Sequence, residues 1–280
     1  MAAAVIAAAC VQLFFGCFSW TKERVKPIND KKTSLKTDIR DLLHNHPWWV
    51  LFVAGVGALV FNSIRDGAAV YYFKYYIVEE NFETVSLFGV SFVLSGLFLA
   101  LGQMANIVGV VLAAPVSNRF GKKRTFAFSM LMTAVLSIVF YWFDKDDIVL
   151  IFVFQCIISM FAGSIFPLLW SMYADCADYS ELNTGNRATG LIFSASSMSQ
   201  KFGWAIGTAL TGWLLSYFGF EANAVQSAET IDGIKMFLSW LPAAASVVSV
   251  IFILCYPLGE QKVAKIIEQL NIKRKQTNEQ

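Results

Sequence analysis

Seven apolar stretches follow one another along the chain, each close to or above the roughly 20 residues that cross a hydrocarbon core. They run from Ala2 to Trp20, about Pro47 to Ile77, about Val85 to Val116, Thr125 to Phe143, Ile148 to Trp170, about Thr189 to Phe218, and Met236 to Tyr256. Inside lipid the backbone must satisfy its own polar groups, so stretches of this length predict helices. The expected fold class is therefore all-α, a polytopic membrane protein with about seven transmembrane helices. No basic segment precedes the first stretch, and Lys22 and Arg24 follow it, which favours a span over a secretory signal peptide. Beyond the last stretch, Val263, Ile266, Ile267 and Leu270 fall at i, i+3, i+4 and i+7. That spacing predicts a short amphipathic helix, lying on the membrane surface or covering the cytoplasmic face of the protein.

Composition agrees with the pattern. Of 280 residues, 56% are apolar and 15% charged, and soluble domains carry about 25% charged residues. The mean hydropathy is +0.56. A formal net charge of +2 excludes a nucleic-acid partner, and the hydrophobicity excludes a disordered chain. The 25 Phe, 8 Trp and 9 Tyr suit a lipid-facing protein with aromatic belts. Cys10, Cys17, Cys156, Cys176 and Cys255 are scattered without CxxC spacing and read as small buried hydrophobes, so neither a disulfide framework nor a metal site is expected. His44 and His46 have no accompanying acid or cysteine cluster, and the chain lacks HExxH, GxSxG and P-loop motifs. No catalytic residue, no cofactor and no enzyme activity are expected.

Basic residues give the orientation, because cytoplasmic loops retain Lys and Arg. The segment 21–46 holds seven, the loop 117–124 four, the loop 171–188 one and the tail five, whereas the alternate loops hold only Lys145 and Lys235. The reading places the N-terminus outside and the C-terminus in the cytoplasm of a cell (inner) membrane. That is an uncommon start for a complete carrier, and the chain is expected to begin mid-protein.

Three basic residues, Arg65, Lys74 and Lys201, fall within predicted spans, where a charge needs a partner, a cavity or a route to the surface. Asn62, Arg65 and Asp66 lie at i, i+3 and i+4, and Tyr72 is seven beyond Arg65, so they are expected to share one broad face. That face could line a sugar path, or it could hold a structural ion pair, with Lys74 snorkelling to the surface. Lys201 lies near the middle of its span, with Ser197 at i−4 and Ser194 at i−7 and Gln200 beside it. No acid lies in that span, so its counter-charge has to come from another helix or a ligand. Such a lysine suits cation coupling, and a static buried pair is the alternative. In the loop expected after the fifth span, Asp175 and Asp178 are one turn apart and Arg187 follows. Together they could form pairs that open and close at the cytoplasmic side.

Three stretches carry a resemblance. One joins Pro47-Trp48 to Ile64-Arg65-Asp66-Gly67 and Tyr71-Tyr72-Phe73-Lys74-Tyr75. The second is Arg119-Phe120-Gly121-Lys122-Lys123, and the third runs from Ala174-Asp175-Cys176-Ala177-Asp178-Tyr179 through Arg187 to Lys201. The chain resembles the glycoside-pentoside-hexuronide:cation symporters of the major facilitator superfamily. It departs from the superfamily loop pattern at Ala114 and Asn118, where a glycine and an acid would stand.

The resemblance implies the second six-helix bundle of a major-facilitator fold plus one preceding helix. Residues 1–20 would be family helix six, 21–46 a cytoplasmic linker, 47–257 the C-terminal six-helix bundle and 258–280 a cytoplasmic amphipathic tail. It implies sugar symport with Na+ or H+ by alternating access, and Lys201 and Ser197 in cation coupling. Asn62, Arg65, Asp66, Tyr72 and Gln200 would line the substrate path, and Asp175, Asp178, Arg187 and Arg119 would form a cytoplasmic gate. The implied partners are a sugar, the coupling cation, the bilayer and a missing N-terminal bundle, without which the chain is not expected to transport. The alternative is a non-transporting membrane sensor or decayed fragment whose charges serve packing alone.

Overall fold

A computed structural model describes residues 2–21, 35–77, 84–87, 90–185 and 189–278. Ten α-helices occur among them: α1 (Ala2–Trp20), α2 (Leu35–Leu43), α3 (His46–Tyr72), α4 (Leu94–Phe120), α5 (Lys122–Val139), α6 (Ile148–Thr184), α7 (Thr189–Tyr217), α8 (Ala228–Leu238), α9 (Trp240–Leu254) and α10 (Glu260–Asn278). A π-helical turn, Phe73–Ile77, extends α3, and a 3-10 turn, Phe140–Trp142, extends α5. Five stretches are long and apolar enough to cross a membrane: His46–Ile77, Leu94–Phe120, Lys122–Trp142, Ile148–Thr184 and Ala228–Leu254. The apolar α1 is shorter, and α7 has the length but carries many Ser, Thr and Gly residues. This is a multi-pass helical membrane protein.

Three expectations need correction. The third span does not begin near Val85: Thr84–Leu87 and Val90–Val93 form two antiparallel strands, Val85 opposite Phe92, and the helix starts at Leu94. Thr84, Val85, Val90, Phe92 and Val93 are β-branched or aromatic and favour a pleated pair over a helix there. Asp175 and Asp178 do not lie in a loop. No helix breaker follows Trp170 before Gly185, so α6 runs 37 residues and ends where Gly185 takes a left-handed φ of 72° and donates its N–H to Glu181 O. The last span is discontinuous, α8 and α9 meeting at Ser239.

Helix α3 is central, with α7, α9, α8 and α6 packed around it. Two apolar clusters fill the interior. One lies at the end where α4 meets α5 at Gly121 and where the expected loop 117–124 proves to be helical on both sides of that glycine (the basic end). It joins Trp48, Leu51, Phe126, Leu169, Tyr173 and Ile253, among others. The other, at the far end, joins Phe61, Ile64, Tyr72, Phe98, Phe140 and Phe237. The tail is no free surface helix: Ile266 and Leu270 are buried in the basic-end cluster, Val263 packs against it, and Ile267 stays exposed.

Candidate functional site

Arg65 sits at the centre of the far-end cluster, 3% exposed. Its Nη2 donates to Gln155 Oε1 of α6 at 2.6 Å, and its Nη1 to Ser137 Oγ of α5 at 3.3 Å and to the carbonyl of Leu238. The guanidinium stands 5.2 Å from the Phe140 ring centroid and 5.8 Å from that of Phe61. The third acceptor is free for a covalent reason. In a continuous helix the N–H of residue 242 would bond Leu238 O, but residue 242 is proline and has none. Arg65 thus satisfies the carbonyl that the α8–α9 break leaves open, and ties α3, α5, α6 and α8 together.

The expected single face of α3 therefore divides. At 100° per residue Arg65 and Tyr72 lie close together, and Asn62 and Asp66 lie together about 100° away. Arg65 and Tyr72 are buried, 3% and 1% exposed, and line no open path in this structure. The Tyr72 hydroxyl has no hydrogen-bond partner among the described residues. Asn62 and Asp66 remain half-buried, Asn62 donating to Ala58 O at 2.9 Å. Lys74 is exposed, as snorkelling requires, and donates to Asn223 Oδ1 at 2.7 Å.

Helix α7 has two unlike faces. Ser199, Gly203, Gly207 and Thr211 recur every fourth residue and are buried, and α7 packs closely on α3. A Cβ on Gly207 would stand 2.5 Å from Ser63 Cβ, and one on Gly203 2.5 Å from Leu59 Cβ, so only glycine permits this approach. Ser63 Oγ, reaching across, donates to Trp204 O at 3.0 Å. Lys201, the thirteenth of the 29 residues of α7, is on the opposite, exposed side. It has no hydrogen-bond or ion-pair partner among the described residues. Half-buried Ser197 is one turn away, donating to Ser194 O at 2.6 Å, and Gln200 is also half-buried.

At the basic end, Asp175 meets Lys122 Nζ at 2.8 and 2.9 Å. Lys122 is the partner that sequence reasoning missed, although it stands with Arg119, Lys123 and Arg124 in one basic run. Arg119 is exposed with its guanidinium 5.5 Å from the Phe120 ring, and Asp178 is half-buried. Arg187 lies outside the described residues. The neighbouring Lys123 donates to Leu254 O and Tyr256 O, both at 2.8 Å, and so caps the C-terminus of α9. Tyr256 is buried against Cys176, 3.6 Å away, and burial raises its phenol above the ordinary value. Asn45, also unforeseen, caps α3 by accepting from Trp48 N at 3.2 Å while its Nδ2 donates to Cys176 O at 3.1 Å. The α6 turn around Asp175 and Cys176 is thus held from three sides. Among the described residues no group of three His, Cys, Asp or Glu could hold a metal ion.

A multi-pass helical bundle with a discontinuous helix, a buried arginine at the break and an exposed lysine halfway along a helix has the architecture of a transport protein. The chain belongs to the MFS/sugar transport protein family, whose model matches residues 1–260. That family consists of transporters and not of enzymes. The chain is 28% identical over 275 residues to the glucuronide carrier protein homolog of Escherichia coli (strain K12), covering 97% of this chain and 57% of that protein. It is 32% identical over 280 residues to the isoprimeverose transporter of Lactiplantibacillus pentosus, covering 99% of this chain and 56% of that one. It is 28% identical over 270 residues to the inner membrane symporter YicJ of Escherichia coli (strain K12), covering 95% and 56%. The chain spans about half the length of these relatives.

Proposed function

We propose that these residues form the second half of a sugar transporter that couples a glycoside, pentoside or hexuronide to Na+ or H+ by alternating access. One observation carries the reading: Lys201 projects from the middle of α7 on the side turned away from its own bundle. An ammonium at bilayer depth costs at least about 2.5 kcal/mol unless it meets water or a counter-charge. A cleft shared with a first bundle supplies both. The relatives, named for glucuronide, isoprimeverose and symport, support the substrate class and the cation.

In this reading residues 1–20 are the helix before the linker, 21–46 the linker, 47–257 the second bundle and 258–280 the tail. The basic end faces the cytoplasm of an inner membrane, and the N-terminus of the chain is outside. Lys201 and Ser197 approach the coupling cation, while Gln200, Asn62 and Asp66 line the sugar path. Arg65 and Tyr72 hold the wall behind them. Asp175, Asp178, Arg119 and Arg187 act at the cytoplasmic gate, with Lys122 as the partner of Asp175.

Flux measurements in vesicles test this. The full-length protein containing these residues takes up cation when a glycoside, pentoside or hexuronide is supplied, and these 280 residues alone do not accumulate sugar. Absence of sugar-dependent cation flux across all three sugar classes would sink the proposal.

A further inference from the structure

A groove of about 390 Å³ opens at the basic end, between the start of α3, the end of α6 and α10. Its polar wall is His46, Tyr179, Lys262, Lys265 and Gln269, and its floor includes Leu182, Pro257 and Ile266. Among the described residues no acid lines it. Lys262 and Lys265 are exposed, and neither ammonium has a hydrogen-bond or ion-pair partner among the described residues. By contrast Lys122 and Lys123 at the same end are both engaged. Two lysines three residues apart on one helix repel each other unless an anion lies between them.

The depth of the groove indicates what anion it takes. His46 and Pro47 begin a membrane-length helix, and Pro257 lies three residues past Leu254, the last residue of α9. The groove therefore lies at the level where membrane-length helices end. Trp48, Trp49 and Phe52 cluster beside it, with ring centroids 4.9 to 5.7 Å apart, and Trp49 is exposed. Trp48 belongs to the core, and it is the exposed Trp49 that suits the lipid headgroup level. A cationic wall over an apolar floor at that level complements a phosphate ester carrying an acyl chain, whereas a soluble anion has no use for the floor.

We infer that this groove binds one anionic phospholipid, its phosphate between Lys262, Lys265 and His46 and the start of its acyl chain along Leu182 and Ile266. The lipid would tether α10 to the bundle next to the Lys122–Asp175 pair, independently of what the protein transports.

Native mass spectrometry of the full chain in detergent, titrated with dioleoylphosphatidylglycerol or dioleoylphosphatidylcholine, tests the inference. One phosphatidylglycerol should be retained in preference to phosphatidylcholine. Replacing both Lys262→Gln and Lys265→Gln should weaken that retention about ten- to thirty-fold, as expected for two basic residues at an anionic headgroup. Both side chains are exposed, so unchanged circular dichroism and Tm should accompany the loss. Lys36→Gln with Arg40→Gln on exposed α2 removes the same charge outside the groove and should change retention by less than about two-fold. Equal retention of phosphatidylcholine, or equal weakening by the two double variants, would overturn the site. Displacement of the lipid by an equal concentration of inorganic phosphate would also overturn it, since the groove would then serve a soluble anion.

Discussion

Arg65 of α3 donates to the backbone carbonyl of Leu238, 173 residues away, at the point where Pro242 deprives that carbonyl of its helical donor. The pairing assigns Arg65 to the interior of its own bundle. It makes a break in one helix depend on a charge in another.

Arg65→Leu leaves Leu238 O and Gln155 Oε1 without donors, and the expected cost is about 2 to 4 kcal/mol of bundle stability. Pro242→Ala restores an N–H within reach of Leu238 O and should recover about 1 kcal/mol of that loss. A double-mutant cycle on thermal unfolding in detergent measures the coupling. Additive effects would show that the carbonyl and the guanidinium are independent.

The close approach of α7 to α3 makes two glycines of the same helix behave differently. Gly207→Val drives a side chain into Ser63 and should destabilise by about 1 to 3 kcal/mol. A Cβ on Gly212 meets nothing within 4 Å, and Gly212→Val should change stability by less than about 0.5 kcal/mol. The Tm values of the two variants in the same detergent provide the comparison.

The Lys122–Asp175 pair joins a side chain 32% exposed to one 9% exposed. Screening limits its coupling energy to about 1 kcal/mol, falling as salt rises. Lys122→Asp alone places two acids together and should lower Tm, whereas Lys122→Asp with Asp175→Lys should restore most of it. If the exchanged pair is no more stable than the single variant, the two residues are held by packing and not by charge.

Periodicity made α1, α3, α5 and α7 readable to within a few residues, because long apolar runs leave few alternatives in a membrane. The amphipathic pattern of the tail was equally plain, and two of its apolar positions, Ile266 and Leu270, proved to be the buried ones. Spacing on one helix does not say which side of α3 faces inward, so it groups Arg65 with Asp66 although the two turn different ways. The deciding partners, Gln155, Ser137 and Leu238, lie 72 to 173 residues away, and only tertiary packing brings them in. Two features of the sequence do point to the arrangement: Gln155 is an amide inside an apolar span, and Pro242 is a helix breaker inside the last one. The strands at Thr84–Leu87 and Val90–Val93 were masked by hydrophobicity that suits a span as well as a hairpin.

Lys201 carries the central claim, because it separates a transport pathway from a bundle held by packing alone. Its side chain is exposed, so Lys201→Gln should leave the Tm of the purified protein unchanged. The decisive measurement is sugar-driven cation uptake in vesicles holding the full-length protein, wild type against Lys201→Gln. The account predicts that the variant loses coupled uptake while remaining folded and inserted. Coupled uptake at the wild-type rate in Lys201→Gln would contradict it.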